Sequence, residues 1–217
     1  MIPETKIKIR KFEARDKAAV RKIAHDTALM GEPAGLFFQG QEVISDAFSL
    51  YFTDYEPDSC FVAEINGQIA GYLFGAKDKA ASERIFNLKI ALPLFFKALK
   101  SGIFLSKKNL NFIFDCLIDL FTNGIKTPDF NRVYPATLHL NIKKGFRGQG
   151  LGASLISAYL DYLKKEKIPG VHLATMSEAA AKFFLAQGLL QLYKGKRSYF
   201  RRILHRDVPL YIFGKLL

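Results

Sequence analysis

Three observations predict an α+β fold carrying a helical insertion. Short stretches of period-two hydrophobicity alternate with stretches of helical period, Asn66-Gly67 joins two strands as a tight hairpin, and an apolar helical segment at 78–132 interrupts the alternation. The first strand is Lys6 to Phe12, where Ile7 and Ile9 alternate with Lys and Arg. Asp16 is the expected N-cap of a helix whose apolar stripe is Val20, Ile23, Ala24 and Thr27. Gly31-Glu-Pro-Ala-Gly35 breaks the chain, and a second helix is predicted over Gln41 to Phe52, with Val43, Ala47, Phe48 and Tyr51 inward. Cys60 to Ile65 and Ile69 to Phe74 read as the hairpin strands. In the insertion, Leu110, Ile113, Phe114, Leu117, Ile118 and Phe121 recur at three and four, which predicts an amphipathic helix packed on the core. A lid, a dimer contact and a surface resting on anionic membrane are the other readings of that segment. Ala136 to Ile142 resumes the sheet, and a helix with stripe Leu151, Leu155, Tyr159, Leu160 and Leu163 ends at Pro169-Gly170. Val171 to Thr175 reads as a buried strand, and Ser177 caps a helix stopped by Gly188. Strands are predicted at Leu189 to Tyr193 and Ser198 to Leu204, and the apolar tail Val208 to Leu217 is a further strand or a docking segment.

At 217 residues, one domain with an insertion is the expected organisation. The chain is 49% hydrophobic and 24% charged, enough apolar material for a real core. Its net charge of +12 fits a solubilising surface or attraction to a polyphosphate, an acidic substrate, nucleic acid or an anionic membrane. No RNA-binding aromatic-glycine motif or helix-turn-helix is present, so no nucleic-acid partner is expected. Cys60 and Cys116 lie far apart inside apolar runs, as core residues of a reducing compartment do, and the four histidines lack metal-ligand spacing. With no apolar signal segment and no run long enough to span a bilayer, the expected location is cytoplasmic.

The stretch Leu138 to Gly152, L-H-L-N-I-K-K-G-F-R-G-Q-G-L-G, runs from a strand through a basic, glycine-rich turn into a helix. Free backbone N–H groups and the helix dipole favour an anion there, above all phosphate. Gly148-Gln-Gly150-Leu-Gly152-Ala153 formally fits the dinucleotide pattern, but that reading fails on context. The glycines do not follow the strand directly, little chain remains for further βα units, and Thr175-Met176 stands where a ribose-binding acid belongs. A Walker loop is excluded because Gly-Lys-Ser/Thr never occurs.

Arg147-Gly148-Gln149-Gly150-Leu151-Gly152 resembles the phosphate-binding motif Q/R-x-x-G-x-G/A of the GNAT superfamily, the acyl-CoA N-acyltransferases. Ser177 to Leu189 resembles the later family motif N-x-x-A-x-x-F-Y-x-x-x-G-F, and the element order is similar from Ile7 to about Leu204, insertion aside. The blocks Y-P-A-T-L-H-L-N-I and G-V-H-L are also similar to the acetyltransferase-like domain attached to O-GlcNAc hydrolases. The resemblance implies a mixed, mostly antiparallel central sheet flanked by helices. It implies an acetyl-CoA-dependent N-acetyltransferase in which an amine attacks the thioester directly in a ternary complex. Acetyl-CoA would lie along Leu140, Asn141 and Ile142, with Gly148 to Gly152 and Ala153 cradling the pyrophosphate and Arg147 adding charge. Ser177, Ala180 and Phe184 of the later motif complete the implied cofactor set.

Two departures qualify that picture. Ser177 stands where the family has Asn, and Phe184 replaces the Tyr that commonly protonates the departing thiolate. A thiol of pKa roughly 8.5 leaves tolerably unprotonated. The alternative is therefore a catalytically silent acyl-CoA-binding or interaction domain. Candidate bases are His139 and His172, on the strands expected to flank the cleft, then Glu64 and Glu32. On strict alternation His139 faces away from Leu138, Leu140 and Ile142, unless a bulge turns it. No metal is expected; the acceptor amine is unnamed, and membrane contact and a homodimer are partner readings of the insertion.

Overall fold

The computed structural model describes residues 6–217. One seven-stranded sheet runs in the order β1-β2-β3-β4-β5-β7-β6. Its strands are β1 (Ile7–Lys11), β2 (Phe61–Ile65), β3 (Gln68–Ala76), β4 (Ala136–Ile142), β5 (Gly170–Thr175), β6 (Leu190–Arg197) and β7 (Val208–Leu216). Every neighbouring pair is antiparallel except β4 and β5. Asn66 and Gly67 both take positive φ, 49° and 82°, the backbone demanded by the tight β2–β3 turn.

Helices cover both faces. Helix α6 (Leu151–Lys165) buries Leu151, Leu155, Ile156, Tyr159 and Leu163 against one face. It joins Leu138 of β4, Val171 and Leu173 of β5 and Phe184 of α7 (Glu178–Ala186) in the main core. On the other face α1 (Lys17–Asp26) sets Val20, Ile23 and Ala24 against Val62, Tyr72 and Phe74. Strands β2 and β3 thus carry apolar residues on both sides, as a doubly covered sheet requires. Helix α2 (Gln41–Leu50) packs beside α1.

Asp16 precedes α1 but does not cap it with its side chain. Its carboxylate instead accepts from Arg10 Nη1 and Nη2, at 2.6 and 2.9 Å, and from the Glu13 N–H at 2.9 Å. A buried acid with a guanidinium in reach takes the charged partner over a neutral cap. Ser177 does cap α7, accepting from the Ala180 N–H, and Gly188 ends that helix with φ +74°.

Residues 77–135 replace what would otherwise be a hairpin turn. Ala76 and Thr137 face each other across β3 and β4, and the Lys79 N–H donates to the Pro135 carbonyl at 2.8 Å. The excursion holds α3 (Lys79–Ile85), α4 (Ala91–Lys100) and α5 (Lys107–Asp119). Ser106 caps α5 at the Asn109 N–H.

Two expectations are corrected here. Of the stripe predicted on and just beyond α5, Leu110, Phe114, Leu117, Ile118 and Phe121 are 45–70% exposed, and only Ile113 packs inward. The inward face is built on Asn109, which is fully buried: its Nδ2 donates to the Gln39 and Ile103 carbonyls and its Oδ1 accepts from the Gln39 N–H. Phe112 continues that face, with ring centroids 4.7 Å from Phe37 and 5.7 Å from Phe200. Ser198 to Leu204 is not a strand either, but a turn leading into α8 (Arg201–Leu204). Phe200, packed on Phe37 and Phe112, holds it there, and the strand begins only at Val208. Among the described residues, no helix is long and apolar enough to cross a membrane.

Candidate active site

The sheet comes apart at one place. Parallel pairing between β4 and β5 covers only Ala136 with Val171 and Thr137 with His172, although both strands continue beyond it. On its other side β4 stays paired to β3 through Ile142, without a bulge. The Lys143 N–H donates to the Ala70 carbonyl. By the alternation of an antiparallel ladder, Leu140 and Ile142 then turn their backbone groups away from β3, into the opening that β5 has left. Two strand amides thus line a slot in the sheet.

Below the slot lies the glycine turn. Gly148 and Gly150 have φ of +78° and +76°, left-handed conformations that a side chain resists, while the space around each is open. Gly150 occupies the N-cap of α6 with no side-chain cap, so the first-turn N–H groups of Leu151, Gly152 and Ala153 remain available. Gly152 is glycine for another reason: an added Cβ would lie 3.0 Å from the Phe183 ring and 3.5 Å from Leu140. Arg147 donates from Nε to the Ile142 carbonyl at 3.1 Å and from Nη2 to the Gly31 carbonyl at 3.0 Å. It ties the loop after α1 to the mouth of the slot while its charge stays exposed; Gln149 is exposed on the same turn.

On the opposite face of the sheet, strict alternation points Thr137, His139 and Asn141 toward α1 and α2. Asn141 Nδ2 accordingly donates to Tyr72 Oη at 2.8 Å. There a cavity of about 580 Å³ is walled by Phe48 of α2 and Phe52 just after it, Glu83 of α3, Asp129 before β4, and both His139 and His172. His172 is buried, and its Nδ1 lies 2.6 Å from the Tyr134 carbonyl. That contact requires the proton on Nδ1, which leaves Nε2 as an acceptor. Surrounding protein holds the His172 pKa below its ordinary value, partly opposed by the Tyr134 bond. The His139 ring opens onto the cavity but is enclosed by protein at longer range, and desolvation lowers its pKa too. Both shifts favour the neutral imidazole.

The other sequence candidates lie elsewhere. Glu64, on β2, accepts from Arg10 Nε at 2.9 Å and sits two strands from β4, outside the cavity. Glu32 pairs with Lys144 at 3.1 Å on the exposed rim of the glycine turn. Ser177 Oγ is occupied by its cap bond, with Ala180 half-buried behind it. Phe184 is buried, its ring 6.1 Å from Phe213, so this position offers no proton. Sequence reasoning missed Glu83, Asp129 and Arg197, which also line the cavity. Asn131 Oδ1, also in that wall, is the one buried side-chain polar atom among the described residues without a hydrogen-bond partner. These residues come from separate elements, and no local spacing links them.

A sheet opened between its two parallel strands above a glycine-capped helix defines a known class of architecture: the chain has the fold of the GNAT N-acetyltransferases. Over 97% of this chain and 98% of the other, it is similar to SsHAT, with a TM-score of 0.72 and 22% identity. A polyamine N-acetyltransferase of Drosophila melanogaster that forms N-acetylagmatine matches at a TM-score of 0.65 and 18% identity, covering 98% of this chain and all (100%) of that one. The Salmonella typhimurium protein yncA, solved with its cofactor acetyl-CoA, matches at 0.58 and 15% identity over 97% and 94% of the two chains. No protein-family model and no curated protein matches the chain.

Proposed function

We propose that this chain is a single-domain, acetyl-CoA-dependent N-acetyltransferase in which the 78–132 insertion walls the acceptor cavity. The carrying observation is that β4 and β5 part where a left-handed glycine turn follows β4, and that the same two strands line the cavity holding His139 and His172. The residues present fit coenzyme A. Gly148 to Ala153 offer backbone N–H groups to a pyrophosphate, with Arg147 and Gln149 beside them, and the exposed amides of Leu140 and Ile142 suit an amide-rich pantetheine arm. Bound there, acetyl-CoA supplies an acetyl thioester open to attack by an amine. An N–H of Leu140 or Ile142 would donate to the thioester oxygen as the amine adds to the carbonyl carbon, and the C–S bond would then break with coenzyme A leaving as its thiolate, to take a proton from solvent. His139, neutral and open to the cavity, takes the proton the amine loses; His172 is the second choice because Nδ1 is already engaged. Glu83 is already paired with Lys79, but Asp129, without an ion pair among the described residues, favours a cationic acceptor, in keeping with the polyamine and agmatine acetyltransferases among the similar structures. Two free cysteines, one fully buried, suit a cytoplasmic protein.

The test is thiol release from acetyl-CoA with a panel of polyamines, agmatine, peptides and aminoglycosides, alongside calorimetric titration of acetyl-CoA and coenzyme A. Saturable binding with sustained turnover on one amine class is expected; absence of binding at millimolar ligand would refute the reading. Phe184, a buried ring at the family's tyrosine position, favours one second reading, a domain that binds acyl-CoA without turnover. Binding with no release on any acceptor would select it.

A further inference from the structure

We infer that the outer face of α4 is a docking surface for an anionic membrane. Leu92, Phe95, Phe96 and Leu99 recur at i, i+3, i+4 and i+7, and all four are at least 50% exposed. Just outside the helix, Leu88 and Leu105 are 81% and 90% exposed. The opposite side of α4 is the one that packs: Ala98 is buried with Leu94 against Val43 and Ile44 of α2, and Lys97 pairs with Asp46. The helix is therefore fixed on the body, with its wider apolar stripe turned to water. Such a stripe exceeds the scattered apolar exposure of an ordinary surface.

Charge identifies the occupant. From 84 to 108 the only charged residues are Arg84, Lys89, Lys97, Lys100, Lys107 and Lys108, all basic. Among the described residues Arg84, Lys100 and Lys107 carry no acidic partner, and Lys89 lies over the Tyr55 ring. An apolar stripe bordered by cations is the pattern of a helix lying in the headgroup layer of an anionic bilayer. A second copy of the chain fits worse, because a two-fold contact through this face would bring cations against cations. No spanning segment is needed, since the surface rests at the interface.

The test is co-sedimentation of the full chain with phosphatidylserine-rich vesicles and with pure phosphatidylcholine vesicles, at low and high salt. Binding to the anionic vesicles alone, released by salt, is expected. Phe96→Ser and Leu99→Ser should each weaken it about 10-fold, since each removes a large apolar group from the interface, while the far-ultraviolet spectrum and melting temperature stay near the parent's. No binding at low salt, or binding that the substitutions leave unchanged, would overturn the inference. So would a dimer in sedimentation velocity that Phe96→Ser turns to monomer without any vesicle binding.

Discussion

Helices α6 and α4 carry the same kind of stripe and use it in opposite ways. In α6, Leu151, Leu155, Tyr159 and Leu163 all lie in the main core; in α4, Leu92, Phe95, Phe96 and Leu99 face solvent. Periodicity establishes that each is a helix and is silent about what covers the stripe. The difference lies in what surrounds each helix. Helix α6 crosses over a sheet that supplies Leu138, Val171 and Leu173 as partners. Helix α4 belongs to an excursion that bridges two already paired strand ends, and α2 and the turn at Ile103–Leu105 take its narrower side.

Several substitutions sharpen that contrast, beginning with the largest effect. His139→Gln should lower kcat by about 10²- to 10⁴-fold, the span attributed to a positioned base, with the KM for acetyl-CoA little changed. Steady-state kinetics decide it, and His172→Gln should cost less. Leu155→Ala, in the covered stripe, should destabilise the chain by about 2–5 kcal/mol in denaturant melts. Gly150→Asp sets a carboxylate beside the proposed phosphates and should weaken coenzyme A binding about 100-fold, as like charges a few ångströms apart in a partly shielded site would. Its positive φ adds strain of about 1–2 kcal/mol, so the melting temperature should fall by only a few degrees. Phe96→Ala, in the uncovered stripe, should change stability by less than about 0.5 kcal/mol. A loss comparable to that of Leu155→Ala would show that the α4 stripe is covered after all.

The histidines give a pH signature with a definite sign. Both pKa values lie below the ordinary imidazole value, and only the neutral ring accepts a proton. The acid limb of kcat/KM should therefore have its midpoint below pH 6.5, with more than half of the activity left where an unperturbed imidazole would be half protonated. Folding stability should begin to fall as pH drops through 6.5, because the unfolded chain protonates there first.

Most of the framework was legible in the sequence because it rests on local physics. Asn66-Gly67 requires its turn, Ser177 caps its helix, and Gly148 and Gly150 mark left-handed positions. The face of His139 followed from alternation once β4 proved free of bulges. What failed depended on distant partners. Asp16 gave its carboxylate to Arg10 of β1, and Ser198 to Leu204 yielded to the packing of Phe200 on α5. The cavity itself joins α2, α3, the segment before β4 and four strands, a meeting that spacing along the chain does not encode.

The central claim is that the opening between β4 and β5 and the turn below it together hold acyl-CoA. Residue-resolved amide hydrogen exchange, with and without saturating coenzyme A, tests this most directly. Protection at Leu140, Ile142 and the 150–153 amides, with little change on α4, is the expected result. Saturable binding that leaves those amides exchanging at their free rate would contradict it.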